Sequence, residues 1–114
     1  KDTTDINVNG FEKQSMHNIG LIPEIVERYR TTYFQHIFTW AYSAGYYSYI
    51  WAELLDSDAY ESFEQNGVFD KATAKSFRTN ILEKGGSDKP MNLYKNFKGS
   101  EPSIEPYFKV KGLI

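Results

Sequence analysis

The stretch YFQHIFTWAYSAGYYSYIW, residues 33–51, decides how this chain is interpreted, because it gathers aromatic side chains around a histidine. His36 is followed by tyrosines at positions 42, 46, 47 and 49, interrupted by the small residues Ser43-Ala44-Gly45. A phenol hydroxyl must find a hydrogen-bond partner when it is buried, and ordinary core helices are filled with leucine, isoleucine and alanine instead. The stretch therefore favours a polar, aromatic-walled surface that meets a substrate. An aromatic-rich core helix is the alternative interpretation.

The spacing within this stretch predicts a helix over about residues 42–63. In that helix Tyr42, Gly45, Tyr46 and Tyr49 would project into one narrow sector. Because glycine has no Cβ, Gly45 is predicted to leave a notch where another backbone can come close.

Composition and charge restrict the classes of protein to which the chain can belong. Its 114 residues suffice for one domain at most. The net charge of −2 and the pI near 5.7 argue against nucleic acid and against an anionic membrane as partners. No apolar run is long enough to span a bilayer, and the absence of cysteine excludes disulfides and thiolate metal sites. Since the first residue is Lys1 rather than methionine, we expect the chain to be a processed product or a piece of a longer protein.

The remaining pattern predicts an all-α fold, with a loose lead-in over residues 1–9 and a single helical domain over residues 10–114. Residues 31–38, in which β-branched and aromatic residues replace helix formers, predict an extended segment or a tight loop. Apolar residues at helical spacing predict further helices over residues 11–18, about 23–30, 71–83 and 90–97, and residues 104–108 are predicted to form a last short turn.

Several single residues carry predictions about helix ends and burial. Gly20 and Gly67 are predicted to end helices, and Asp70 is predicted to cap the N-terminus of the helix that follows it. Val68 and Phe69 are predicted to form a buried hook. A solvated acidic face is predicted on the second half of the tyrosine helix, formed by Glu53, Asp56, Asp58, Glu61 and Glu64.

The polar residues provide hydrogen-bond donors but do not form a recognisable catalytic centre. The two histidines, His17 and His36, lie far apart, so they lack the i, i+4 spacing of an HExxH zinc site. No serine can be placed in register with a histidine and a carboxylate. Hydroxyl and imidazole donors do suit the stabilisation of charge that develops on a carbonyl oxygen. Arg28 and Arg30, which flank Tyr29, form either a solvated basic face or a fork that recognises a carboxylate.

The segment HIFTWAYSAGYYSYIW, residues 36–51, resembles the thimet oligopeptidase and peptidyl-dipeptidase family of zinc metallopeptidases. The resemblance covers roughly residues 10–113. It includes the segments GLIPEIVERYRTTYFQHIF, SFRTNILEKGG, LYKNFKG and EPSIEPYFKVKGL. It implies that the chain is the multi-helix C-terminal piece of a larger, helical zincin-type peptidase.

The resemblance also implies roles for five residues. Tyr49 would donate to the oxyanion of the tetrahedral intermediate, and Tyr42 would be the first tyrosine of a substrate loop that assists it. His36 would hydrogen-bond the bound peptide near the scissile bond. Gly45 and Tyr46 would lie on the same substrate-facing side.

Two departures from the family pattern limit what this chain could do alone. Thr39-Trp40-Ala41 stands where the family has a glycine-rich loop, and Trp40 could narrow the substrate passage. The HExxH helix and the third zinc ligand, a glutamate, are absent from this sequence. The resemblance therefore implies that zinc is held by a missing N-terminal zinc-binding part of the same protein, and that the isolated chain is inactive.

For the parent protein, the resemblance implies hydrolysis of short peptides, with release of C-terminal dipeptides. It implies a bacterial location in the cytoplasm or the periplasm, without deciding between the two. The alternative from another class is a non-catalytic helical module that binds a peptide or a protein on its tyrosine face.

Overall fold

The computed structural model describes residues 6–39 and 41–114, and this part of the chain is helical and contains no strand. This confirms the all-α prediction. A 3-10 turn covers Thr31–Tyr33, and a π-helical turn covers Arg78–Leu82. The α-helices are α1 (Val8–Asn18), α2 (His36–Thr39), α3 (Ser48–Asn66), α4 (Lys71–Phe77), α5 (Pro90–Lys98) and α6 (Glu105–Val110).

The chain divides into two compact units, Lys1–Tyr46 and Tyr47–Ile114. The first unit contains α1 and α2, and the second contains α3 to α6. Most of the predicted lead-in falls on residues 1–5, which lie outside the described residues. The division into a lead-in and one domain over residues 10–114 stays a prediction.

Helix α1 begins at Val8, about one turn before the predicted start at residue 11. Asn7 caps it, because its side-chain oxygen accepts a hydrogen bond from the backbone N–H of Gly10 at 3.1 Å. The predicted glycine stop is confirmed: Gly20 follows the helix with a φ of 81°, in the left-handed region that favours glycine.

The predicted helix over residues 23–30 was wrong, since this segment contains no helix. The N–H of Ile25 donates a hydrogen bond to the carbonyl of Ile22 at 3.1 Å, which closes a turn rather than a helix. Ile25 and Val26, apolar residues of this segment, are exposed. So short a helix is marginal in water unless its apolar face packs.

The tyrosine helix starts later than predicted. Residues 41–47 form turns, and α3 begins at Ser48 rather than near Tyr42. The predicted single helical sector for Tyr42, Gly45, Tyr46 and Tyr49 was therefore wrong. A Cβ added at Gly45 would approach only the carbonyl oxygen of Ala41, at 3.4 Å, so no distant backbone crowds this glycine. Residues 31–38 were predicted to form an extended segment or a tight loop, and they contain a 3-10 turn and the start of α2 rather than an extended segment.

The second unit is held together by α3, which packs against α6 and α4, while α5 packs against the π-helical turn. Phe77 lies between two other rings, with its centroid 6.0 Å from that of Phe63 and 5.1 Å from that of Phe97. Ala59, Leu93 and Tyr94 are its buried hydrophobic residues. As predicted, Gly67 ends α3, with a φ of 107°.

Asp58 contradicts the predicted solvated acidic face, because its side chain is only 1% exposed. The hydroxyl of Tyr94 donates to Oδ2 of Asp58, and the backbone N–H of Ser103 donates to Oδ1 at 3.2 Å. The ammonium of Lys98 lies 3.5 Å from Oδ1 of Asp58, and it also donates to the main-chain carbonyl of Asp58 at 2.7 Å. Burial, together with the Asp58 carboxylate, raises the pKa of Tyr94, so its hydroxyl stays protonated and keeps donating.

The loop between α3 and α4 was predicted to be a buried hook, which was also wrong. Phe69 is 95% exposed, and Val68 is exposed as well. Gly67 turns the chain here, with the N–H of Asp70 bonded to its carbonyl at 2.8 Å, and nothing in the described chain lies over the two apolar side chains.

The helix predicted over residues 71–83 is present as α4 followed by the π-helical turn. Asp70 caps it as predicted, accepting a hydrogen bond from the N–H of Thr73 at 2.6 Å. The helix predicted near residues 90–97 is present as α5, and α6 lies where a last short turn was predicted over residues 104–108. No helix of the described residues is both long enough and apolar enough to cross a membrane.

We predict that the Asp70 cap makes stability depend on pH. The bond from Thr73 lowers the pKa of Asp70 below its ordinary value. A depressed folded-state pKa adds stability above the unfolded pKa of about 4, and this contribution is lost as the pH falls through the folded value. Asp70→Asn keeps an acceptor but does not titrate. Amide hydrogen exchange in α4 should therefore differ between the two proteins at pH 7, and the difference should shrink near pH 3. A difference that stays constant with pH would contradict the prediction.

Candidate functional site: an aromatic cluster around Tyr29

Tyr29 lies at the centre of a group of rings in the first unit. Its ring stacks on Phe34 at a centroid distance of 5.2 Å, and lies 5.8 Å from the His36 ring and 6.4 Å from the Tyr46 ring. The ring of Tyr33 meets it edge-on at 6.5 Å. We call the group the aromatic cluster; it consists of Tyr29, Tyr33, Phe34, His36, Tyr42 and Tyr46.

Short turns, rather than one long helix, bring these rings together. Phe34 follows the 3-10 turn, and His36 is the first residue of α2. The carbonyl of Gln35 accepts both the N–H and the hydroxyl of Thr39, at 3.0 and 2.9 Å, which fixes the single turn of α2. Turns over residues 41–47 then return Tyr46 to the edge of Phe34, at 4.7 Å. T-shaped contacts of this kind are favourable between rings.

A buried carboxylate ties this arrangement to α1. The side chain of Glu12 is 7% exposed, and its Oε1 accepts a hydrogen bond from the backbone N–H of Thr31. This bond lowers the pKa of Glu12, with a smaller contribution from the charge of Arg30. The ionised carboxylate therefore anchors the 3-10 turn that leads into the aromatic cluster. The burial of Glu12 was not predicted, because a glutamate on a short helix is typically an exposed charge.

Three of the five predicted site residues lie together in the aromatic cluster. The ring centroids of His36 and Tyr42 are 6.1 Å apart, those of His36 and Tyr46 are 5.9 Å apart, and those of Tyr42 and Tyr46 are 6.5 Å apart. Gly45 precedes Tyr46 in the same turns. Trp40, which was expected to narrow a substrate passage, lies outside the described residues.

Tyr49, the fifth predicted residue, belongs to the second unit. It is the second residue of α3, and its side chain is 45% exposed. The roles assigned to Tyr49, Tyr42, His36, Gly45 and Tyr46 stay predictions.

Sequence reasoning did not name Tyr29 or Phe34 among the site residues, although their rings lie at the centre of the aromatic cluster. Tyr29 was placed in the predicted helix over residues 23–30, which does not form, and Phe34 in the predicted extended segment or tight loop over residues 31–38. The signal that could have identified them is the density of rings just before His36 in the stretch YRTTYFQH, residues 29–36.

The described residues offer no set of ligands for a zinc ion. No three or more histidine, aspartate or glutamate side chains are grouped so that they could hold a metal within residues 6–39 and 41–114. The residues present therefore do not fit a zinc site by themselves. That the zinc ligands lie outside this chain stays a prediction.

The aromatic cluster combines ring faces with polar edges. Five of its six side chains are half-buried, and Tyr33 is exposed. Phenol and imidazole groups can donate to, or accept from, a peptide backbone, while their rings pack against apolar side chains. The cluster is therefore suited chemically to holding an extended peptide.

Comparison with known proteins finds relatives of this chain. The chain is 51% identical over 81 residues to Oligopeptidase A of Haemophilus influenzae, a match that covers 71% of this chain and 12% of the relative. It is 38% identical over 108 residues to a Dipeptidyl carboxypeptidase of Salmonella typhimurium, which covers 94% of this chain and 16% of the relative. A Thimet-like oligopeptidase of Dictyostelium discoideum is 35% identical over 72 residues, covering 63% of this chain and 11% of the relative.

The matched length shows how small a part of such a protein this is. The chain spans between about a ninth and a sixth of the length of these relatives. The model of Peptidase family M3 matches residues 2–113, which is nearly the whole chain. On the evidence of that match and of these identities, the chain belongs to peptidase family M3.

Proposed function

We propose that this chain is the substrate-side part of a zinc-dependent peptidase that hydrolyses short peptides. The observation that carries the proposal is the match of residues 2–113 to Peptidase family M3. The aromatic cluster supports it, because it offers ring faces and polar edges within one unit. Zinc and its ligands are proposed to belong to an N-terminal part of the same protein, outside this chain.

Each predicted site residue has a proposed task. His36 and Tyr46 hold the peptide backbone, with Gly45 leaving room beside them. Tyr49 donates a hydrogen bond from its phenol hydroxyl to the oxygen on which negative charge develops when the scissile carbonyl is attacked, and Tyr42 assists it. A donor placed in this way stabilises the transition state more than the bound substrate, so it raises kcat.

The names of the relatives indicate the kind of peptide. One is called an oligopeptidase, and another a dipeptidyl carboxypeptidase. We propose that the substrates are short peptides and that the protein releases dipeptides from their C-terminal end.

The proposed partner, the remainder of the same polypeptide, is supported by exposed apolar surface. Large hydrophobic side chains are exposed in both units, among them Phe38 and Val26 in the first and Phe69 and Leu82 in the second. Monomeric proteins rarely leave extensive apolar surface in water. This chain spans about an eighth of a relative's length. The remaining part of a protein of that length would be large enough to cover these side chains.

The test compares this chain alone with the full-length protein on a blocked fluorogenic peptide in the presence of zinc. We expect hydrolysis by the full-length protein only, and we expect a chelator to abolish it. Turnover by residues 1–114 alone would contradict the assignment of the zinc ligands to another part of the protein. A folded full-length protein that binds the peptide without cutting it would support the non-catalytic binding module instead.

A further inference from the structure

The side chain of Arg28 rests on the aromatic cluster. Its guanidinium carbon lies 5.5 Å from the centroid of the Tyr29 ring, which is within the range of a cation–π contact. The same Tyr29 ring contacts His36 and Tyr46, the two residues proposed to hold the peptide. A fixed positive charge therefore lies one ring away from the proposed peptide site.

This charge has no carboxylate partner in the described part of the chain, where Arg28 forms no ion pair. Its near neighbour Arg30 differs, because its charge acts on the buried carboxylate of Glu12. Arg78 in the second unit differs as well, since its Nε lies 2.9 Å from Oε1 of Glu83. Arg28 is also exposed to solvent, so its N–H donors can be reached by a ligand.

We infer that Arg28 binds a carboxylate of the peptide held on the aromatic cluster; the inference rests on the proposed function, in which the cluster holds a peptide. A guanidinium presents a planar fork of donors that matches a carboxylate with two parallel hydrogen bonds. The cation–π contact with Tyr29 restricts the Arg28 side chain before the ligand arrives, which reduces the ordering cost of binding. The carboxylate is either the C-terminus of the peptide or an acidic side chain.

Three peptides of the same length separate these two sources. The first has a free C-terminal carboxylate and an internal glutamine. The second is its C-terminal amide, which carries no carboxylate. The third is the amide with glutamate in place of the glutamine. Stopped-flow fluorescence anisotropy on the full-length protein measures the Kd of each labelled peptide before turnover accumulates, so the result does not depend on hydrolysis.

We expect at least one carboxylate peptide to bind about five- to tenfold more tightly than the neutral amide. Arg28→Gln should remove this advantage and leave the Kd of the neutral amide unchanged. Arg78→Gln, which removes an exposed arginine of the second unit, should leave the advantage intact. Arg28→Lys should keep only part of it, since the point charge remains but the planar fork is lost.

The inference is overturned if the wild-type protein shows no preference for either carboxylate, or if Arg28→Gln keeps the preference. Failure of the proposed function looks different. In that case the three peptides either do not bind at all, or they bind with an Arg28-dependent preference and are never hydrolysed. The second of these results would sustain the carboxylate site and reject the peptidase.

Discussion

Replacing Tyr49 by phenylalanine in the full-length protein is expected to lower kcat about 10²- to 10³-fold, which is the loss typical of removing one oxyanion donor. The substitution deletes a hydroxyl and keeps the ring. Because Tyr49 is half exposed at the start of α3, the fold should not change. The loss should appear in kcat rather than in KM, since the proposed bond forms only when charge develops on the carbonyl oxygen.

Tyr47 offers the matched control for this prediction. It precedes α3 by one residue, is more exposed than Tyr49, and has no assigned role. Tyr47→Phe should therefore leave kcat within about twofold of wild type, well short of the effect of one lost donor. Unchanged turnover in a correctly folded Tyr49→Phe protein would remove the role assigned to Tyr49. The rival view of the tyrosine run, as mere core filling, would then gain support.

Replacing Asp58 by alanine is expected to destabilise the second unit by about 3–5 kcal/mol, the range for breaking a buried ion pair by removing one partner. The carboxylate receives the Tyr94 hydroxyl and the Ser103 N–H, and it faces the Lys98 ammonium. Without it, the buried hydroxyl of Tyr94 loses its acceptor, and Lys98 keeps only Glu61 as a charged partner among the described residues. Both losses cost free energy because these groups are largely removed from water.

Hydrogen exchange measures this effect locally, where unfolding of a large protein would not follow two states. Amides of α3 and α5 in the full-length Asp58→Ala protein should exchange at least about 100-fold faster than in wild type. Asp56→Ala is the control, because Asp56 is an exposed carboxylate on the same helix, and its removal should change these rates little. Unchanged protection in Asp58→Ala would show that the buried carboxylate does not hold α3 to α5.

The prediction of the fold succeeded where local chemistry decides the structure. Asp70 and Gly67 acted as predicted, because an N-cap carboxylate and a left-handed glycine satisfy backbone groups within their own turn. The helix over residues 23–30 failed for the opposite reason. Its apolar residues have helical spacing, but a segment of that length forms a helix only if its apolar face packs against other elements. That packing depends on tertiary contacts that cannot be recognised in the sequence.

The candidate site shows the same division. The ring-rich stretch around His36 pointed to the aromatic cluster, and three of the five predicted residues meet there. The predicted helical sector did not form, since turns over residues 41–47 replace the first part of the helix.

Asp58, outside the site, was wrongly predicted to be solvated because nothing in its own segment indicates that it is buried. Its hydrogen-bond and ion-pair partners are 36 to 45 positions away along the chain.

The exposed apolar side chains also bear on the fate of this polypeptide in a cell. Phe69 is 95% exposed. Molecular chaperones and quality-control proteases recognise exposed apolar side chains of this kind in incompletely folded proteins. If the rest of the peptidase covers these positions, a copy of residues 1–114 released by proteolysis would be retained by chaperones or degraded rapidly. Its steady-state abundance would then be governed by turnover of the parent protein rather than by the stability of its own helices.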